Sequence, residues 1–274
     1  MGGYERKLGD HMIQTNTIDQ IAFELFQAEK QKKAVGKFVD QYPELDEAFA
    51  YEVQERLIDM KCKEENTKRI GRKLGLTSKA KQEMMGVHEP SYGVLLESMQ
   101  LFEGDKISLT PFIHPKLEPE IAFIFDKELK GPHVTVADVL NATKFIAPAV
   151  ELIDSRFHGF SFTLQDAVAD NSSSSRFIIG EKFYSPKDFD LKLMGMVFKQ
   201  NGEVVATGAG AAVMGHPARA IAWLANRLYK VGQSIQPGEI VLSGSLSAAI
   251  KIEPGDHFSA EFDGIGSVEA RFTE

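Results

Sequence analysis

The 274-residue chain has one cysteine, Cys62, one tryptophan, and no apolar run approaching the roughly 20 residues of a membrane-spanning helix. A lone cysteine closes no intramolecular disulfide and builds no zinc-finger site, which fits a reducing interior. Positive charge is scarce as well. Against 39 Asp and Glu there are 31 Lys and Arg, a net charge of −8 with no basic block, which disfavours nucleic-acid binding. The opening residues, 1–11, are polar and lack the apolar core of a signal peptide. A cytoplasmic protein with no membrane or nucleic-acid partner is expected. Also missing are the phosphate-cradling patterns GxxxxGK[ST] and GxGxxG after a strand, the paired-histidine motifs HExxH and HxH, and the GxSxG elbow. A covalent serine or cysteine hydrolase is therefore disfavoured.

What is present reads as an ordinary globular core, since 43% of residues are hydrophobic and 26% charged. The first eighty residues read as helical. Thr17 and Gln20 stand at a capping-box spacing, with Ile18, Ile21, Ala22 and Leu25 on one helical face. A second amphipathic segment runs from about Leu45 to Lys63, after a break at Pro43. Beyond Lys106 short apolar runs alternate with Gly, Pro, Asp and Asn, as in IAFIF, FIAPAVELI, EVVATG and HFSAEF. One helix is expected to interrupt them, starting at Pro217 and closing near Gly232. The expected fold class is α+β, a mixed, mostly β core behind a helical N-terminal segment. Residues 1–80 and 81–274 would act as one functional unit.

The segment LEPEIAFIF sets Glu118 and Glu120 two residues apart, on one face of a strand and about 7 Å apart along the chain. A third acid, Glu151, follows the apolar run PAV. Three carboxylates on strand ends form a hard, oxygen-only donor set that suits magnesium or manganese. Alternatively, the pair merely lines a solvated sheet face. Lys73, in GRKLGLTSKA, precedes a helix start with Thr77 and Ser78 as caps; it reads as an acid/base or as a solvated lysine. HEPSYG reads as a turn, and LSGSL as a glycine turn whose Ser245 could hold an anion. Arg176, after Asp170, Asn171 and a run of four serines, is placed to clamp a substrate carboxylate or to form a surface ion pair.

Together GRKLGLTSKA, HEPSYG, PKLEPEIAF, ELIDSRF, VADNSSSSRF, TGAGAAVMGHPARAIAWLA, VLSGSL and GIGSVEARF resemble, in order, the 2-keto-4-pentenoate hydratase / 4-oxalocrotonate decarboxylase family of the fumarylacetoacetate-hydrolase superfamily. The resemblance spans roughly residues 15–273. It implies a fumarylacetoacetate-hydrolase-like fold and a homo-oligomer. It also implies magnesium or manganese held by Glu118, Glu120 and Glu151, with Lys73 catalytic. Leu76 and Ser245 match positions that contact a bound 2-oxo acid.

Such a substrate chelates a hard cation through its carboxylate and keto oxygens, which serves decarboxylation and hydration alike. Two positions separate the reactions. The family's hydratases carry an acid in the turn where this chain has Ser91, and the decarboxylases carry an arginine where this chain has Arg176. VHEP and VLSGSL, by contrast, look hydratase-like. The expected activity is decarboxylation of 2-oxo-3-hexenedioate in aromatic catabolism. The alternatives are 2-hydroxypenta-2,4-dienoate hydration, with a partner hydratase possible for the decarboxylase, or an inactive scaffold for such an enzyme.

Overall fold

Alternation along one strand organises the molecule. In Lys116–Phe125 the odd residues Leu117, Ile121 and Phe123 enter one buried apolar cluster, while Ala122 enters another on the opposite face. The computed structural model describes the backbone of residues 2–274 and the side chains of 15–83 and 86–274.

Among the described residues the α-helices are α1 (Gly2–Gln31), α2 (Glu47–Glu64), α3 (Lys79–Met85), α4 (Val136–Ala142), α5 (Leu164–Ala169) and α6 (Pro217–Tyr229). The strands are β1 (Arg69–Gly75), β2 (Ser91–Leu96), β3 (Gln100–Leu101), β4 (Lys106–Ser108), β5 (Lys116–Phe125), β6 (Thr143–Ile153), β7 (Ser174–Ile179), β8 (Gly195–Gln200), β9 (Glu203–Ala209), β10 (Ile240–Leu242), β11 (Ile250–Lys251), β12 (His257–Phe262) and β13 (Gly266–Thr273).

A mixed eight-stranded sheet runs β2-β1-β10-β5-β6-β7-β3, with β11 also on β5. A five-stranded sheet runs β4-β13-β12-β8-β9. Leu117, Ile121, Val150 and Leu152 of the large sheet share a core with Phe198, Phe258, Val268 and Phe272 of the small one and with Ile221, Leu224 and Leu228 of α6. The other face of the large sheet packs Ala122, Ala149, Phe177 and Leu242 against Ile58 of α2. Helices α1 and α2 close a third cluster with Phe157, Val168 and Ala169. The fold is the expected α+β architecture. Among the described residues no helix is long and apolar enough to cross a membrane.

Several local expectations are met. The segment expected from about Leu45 to Lys63 is α2, which Asp46 caps by accepting from Phe49 N at 2.8 Å; Ser78 caps α3, and Pro217 opens α6. Others are corrected. Thr17 is not a cap, because α1 already begins at Gly2, and no proline interrupts this helix-compatible stretch. Gln20 reaches forward to Glu24 instead. The stretch read as helical to residue 80 contains β1, whose glycine-flanked sequence carries little periodicity yet pairs on both sides, with β2 and β10. HEPSYG is only half a turn, since Ser91 starts β2. Two short helices, α4 and α5, join α6 inside the β region, each with a threonine cap three residues before an aspartate.

Candidate active site

The register of β5 on β6 sets Glu118 opposite Glu151 and Glu120 opposite Ala149, so the three acids share the face that carries Ala122 and Phe177. One carboxylate oxygen from each of Glu118, Glu120 and Glu151 lies within 4.8 Å of the others. All three are buried. Their partners differ. Glu118 Oε1 is 2.6 Å from Lys81 Nζ, and Glu151 Oε1 accepts from Ser174 Oγ at 2.8 Å. Glu120 Oε2 accepts from Gly244 N at 2.7 Å, while its Oε1 has no hydrogen-bond partner.

Glycine is required in the turn beside Glu120. Gly244 has φ +101°, and a Cβ there would sit 2.3 Å from Thr77 Oγ1. That close approach is what lets the Gly244 N–H reach Glu120.

Lys73 comes from β1, which lies one strand further on, beyond β10, in the same sheet. Its Nζ is 2.9 Å from Glu151 Oε2, an ion pair by distance, and it donates to Ser172 O at 3.1 Å. Burial alone would depress its basicity, but the charges of Glu151, Glu118 and Glu120 carry it above the usual lysine value. Lys73 therefore holds its proton. Burial, then the Glu151 charge, pushes Glu120 well above the carboxylate range, and burial raises Glu151 against the pull of Lys73. Burial acts to raise Glu118 too, but Lys81 and Lys73 win and hold it low.

Three buried carboxylates facing one another, two pushed toward the neutral form and one with an orphaned oxygen, suit a hard divalent cation. The donor set fits, and Glu118, Glu120 and Glu151 would hold such an ion.

Beside the acids lies a cavity of about 380 Å³. Lys73, Leu76, Ser91 and Ser245 all line it, together with Lys81 and Ser172. Leu76 stands in the left-handed region at φ 55°, and Ser91 Oγ accepts from Ser172 Oγ at 3.2 Å. Ser245 donates to Ser247 O at 2.8 Å, closing the glycine turn.

The profile of the family described as Fumarylacetoacetate (FAA) hydrolase C-terminal matches residues 60–273. The chain belongs to the fumarylacetoacetate-hydrolase family. Within it, the chain falls in the 4-oxalocrotonate decarboxylase / 2-keto-4-pentenoate hydratase group. It is 42% identical over 264 residues to 4-oxalocrotonate decarboxylase of Pseudomonas sp. (strain CF600), covering 95% of this chain and 100% of that one. It is 39% identical over 253 residues to 2-hydroxyhexa-2,4-dienoate hydratase of Comamonas testosteroni, covering 91% and 95%. A solved 4-oxalocrotonate decarboxylase from Pseudomonas putida G7, complexed with magnesium and adipate, superposes with TM-score 0.91 at 40% identity, covering 94% of this chain and 98% of that one.

Against this family background the site corrects one residue and adds several. Arg176 pairs with Leu152 on β6, not with Glu151, and so projects from the opposite face of the sheet. There it packs over Phe112, 5.8 Å from the ring centroid, and borders a small cavity with Leu117, Leu152 and Phe272. It lies outside the pocket lining. The strand period decides this, because a one-residue offset moves a side chain to the other face.

Of the serines before Arg176, read only as a polar run, Ser172 and Ser173 line the cavity and Ser174 donates to Glu151. Ser172, Ser173, Ser174 and Ser175 are all buried. Asn171, Ser172 and Ser173 take φ values of 50°, 50° and 58°, a left-handed turn that places Ser172 against Lys73 and Ser91. Four consecutive polar residues running into a buried strand were the available signal.

Proposed function

We propose that this protein decarboxylates 2-oxo-3-hexenedioate to 2-hydroxypenta-2,4-dienoate and carbon dioxide, with magnesium or manganese at Glu118, Glu120 and Glu151, in the degradation of ring-cleaved aromatic compounds. The carrying observation is Ser91. At the position where a hydratase would place an acid to deliver water and protons, this pocket has a neutral hydroxyl already accepting from Ser172. Two likenesses support the reading: the 42% identity to a named decarboxylase, and a solved decarboxylase complexed with magnesium and adipate, a six-carbon diacid.

A divalent cation held by the three glutamates would act as a Lewis acid on the carboxylate and keto oxygens of the 2-oxo acid. The protein's own groups do the rest. Cleavage of the C5–C6 bond releases the remote carboxylate as carbon dioxide and sends its electron pair along the conjugated chain to the 2-oxygen. That oxygen takes a proton to give the hydroxydienoate, and Lys73, buried and 2.9 Å from Glu151 Oε2, is the acid placed to supply it. Ser172 O fixes the lysine's direction. Ser91 offers no carboxylate to guide water onto the chain, so the dienoate leaves unhydrated.

The hydratase reading keeps a place because a hydratase relative is 39% identical. Incubating the magnesium-loaded protein separately with 2-oxo-3-hexenedioate and 2-hydroxypenta-2,4-dienoate separates the two. Carbon dioxide release with slow or no hydration is the expected result. Rapid hydration without carbon dioxide overturns the proposal.

A further inference from the structure

With Arg176 on the far face, the remote carboxylate of a diacid needs another partner. Three lysines line the cavity: Lys73, Lys81 and Lys116. Lys73 is paired with Glu151 and Lys81 with Glu118. Among the described residues Lys116 has no carboxylate within 4.0 Å; its Nζ rests over the Phe160 ring, 4.0 Å from the centroid. An ammonium held on an aromatic face is oriented yet keeps all its hydrogen-bonding capacity for an anion.

Its position follows from the strand. Lys116 is two residues before Glu118 on β5, so both project from one face, roughly 7 Å apart along the strand axis. An extended six-carbon diacid has five C–C bonds of about 1.5 Å each, a span of roughly 6 Å between its end carbons. A 2-oxo acid anchored at the glutamates and lying along β5 would bring its far carboxylate to Lys116. Across from Lys116 stands Ile153, which lines the same cavity, and Phe162 adds a second aromatic wall. The Lys116 ammonium therefore stands among apolar walls, with the charged glutamates further along the strand.

We propose that Lys116 receives the remote carboxylate and sets the pocket's preference for 2-oxo diacids over 2-oxo monoacids. This rests on the reading of the cavity as a 2-oxo acid site and assigns the end of it that Arg176 does not serve. For the decarboxylation the contact has a further consequence. A lysine that binds the leaving carboxylate through its charge holds it in the ground state, so Lys116 governs affinity and selection rather than the bond-breaking step.

The test compares binding of 2-oxoadipate and 2-oxohexanoate, which differ only in a terminal carboxylate or methyl, to the magnesium-loaded protein by calorimetry. The wild type is expected to favour the diacid by about tenfold or more, the value of one charge-assisted contact. Lys116→Met, which keeps the packing on Phe160, should bring the ratio close to one by weakening the diacid alone, and Lys116→Arg should restore it. Arg176→Met should leave the ratio unchanged. A wild-type preference that survives Lys116→Met, or that disappears in Arg176→Met or Lys81→Met instead, overturns the assignment to Lys116. A wild-type ratio near one overturns it together with the diacid reading. Carbon dioxide release is scored separately, so a protein that hydrates but still selects diacids through Lys116 refutes only the reaction.

Discussion

Lys73 carries two burdens that a single substitution can separate. It is buried beside Glu151 and held charged by three carboxylates, so it balances the metal-free site as well as offering a proton. In Lys73→Met the buried carboxylates lose their counter-charge, at a cost of about 3–5 kcal/mol, softened as they take up protons. A divalent cation supplies positive charge to the same carboxylates. Urea unfolding of Lys73→Met should therefore show a large loss in chelator and recovery of much of it in magnesium, while carbon dioxide release stays abolished. Turnover that returns along with stability would reduce Lys73 to a structural cation. Of these residues, the Glu118 and Glu120 pair was legible from strand period and Glu151 from its place after an apolar run, whereas Lys73, read before a helix start, stood out only through the family resemblance. Arg176 was misjudged by one residue of that same period, and Lys116 was overlooked because a lysine before a strand looks like any solvated charge.

At the scale of elements, the segment between α5 and β7 shows why part of the site was illegible. Three successive left-handed residues other than glycine cost about 1–2 kcal/mol each, so the surroundings must hold them. Asn171 does this from inside, accepting from Val94 N at 2.7 Å and donating to Val94 O at 3.0 Å. Arg156 does it from outside. Its Nε pairs with the Asp170 carboxylate, its Nη2 donates to Asp170 O at 2.6 Å, and its Nη1 donates to Asp154 O at 2.7 Å. Burial would raise Glu29 of α1, but Lys61 and Arg156 hold it at about 2, which ties the helical layer to the same anchor. No local propensity announces such a turn, because its cause lies on β2, in the segment after β6, and on α1. Arg156→Met should cost about 3–5 kcal/mol in urea unfolding, since Asp170 would be left buried without its cation. The double variant with Asp170→Asn should cost much less than the sum of the two singles. Additive losses would mean that the arginine supports the turn without the aspartate. The same dependence on distant partners hid β1, whose pairing to β10 spans most of the chain.

Across the whole molecule, stability and metal binding are linked through protons. Glu120 and Glu151 are raised above their ordinary value, so the native state binds protons more tightly than the unfolded chain at these two sites. Their contribution is complete below the ordinary carboxylate value and is lost as pH rises through the raised native values. Glu118 and Glu29 run the other way, contributing above the ordinary value and losing it only in acid. His114 and His216 are lowered mainly by burial, so they favour the fold increasingly as pH rises through their lowered values toward the ordinary histidine value, and add no slope beyond it. Magnesium binds the carboxylate forms, so it must displace whatever protons Glu120 and Glu151 retain, and this cost shrinks as pH rises. The stabilisation it brings, about 2.7 kcal/mol at a concentration one hundred times the dissociation constant, should then grow from pH 6 to pH 8 at fixed magnesium. Comparing unfolding midpoints in chelator and in magnesium at the two pH values cancels the histidine contribution, because it is common to both. Glu120→Gln should remove the magnesium effect at both values, having lost a ligand while keeping a neutral group where the wild type carries a proton. A magnesium effect that is equal or smaller at pH 8, or that persists in Glu120→Gln, would place the cation away from the three glutamates, whatever the catalytic assays report.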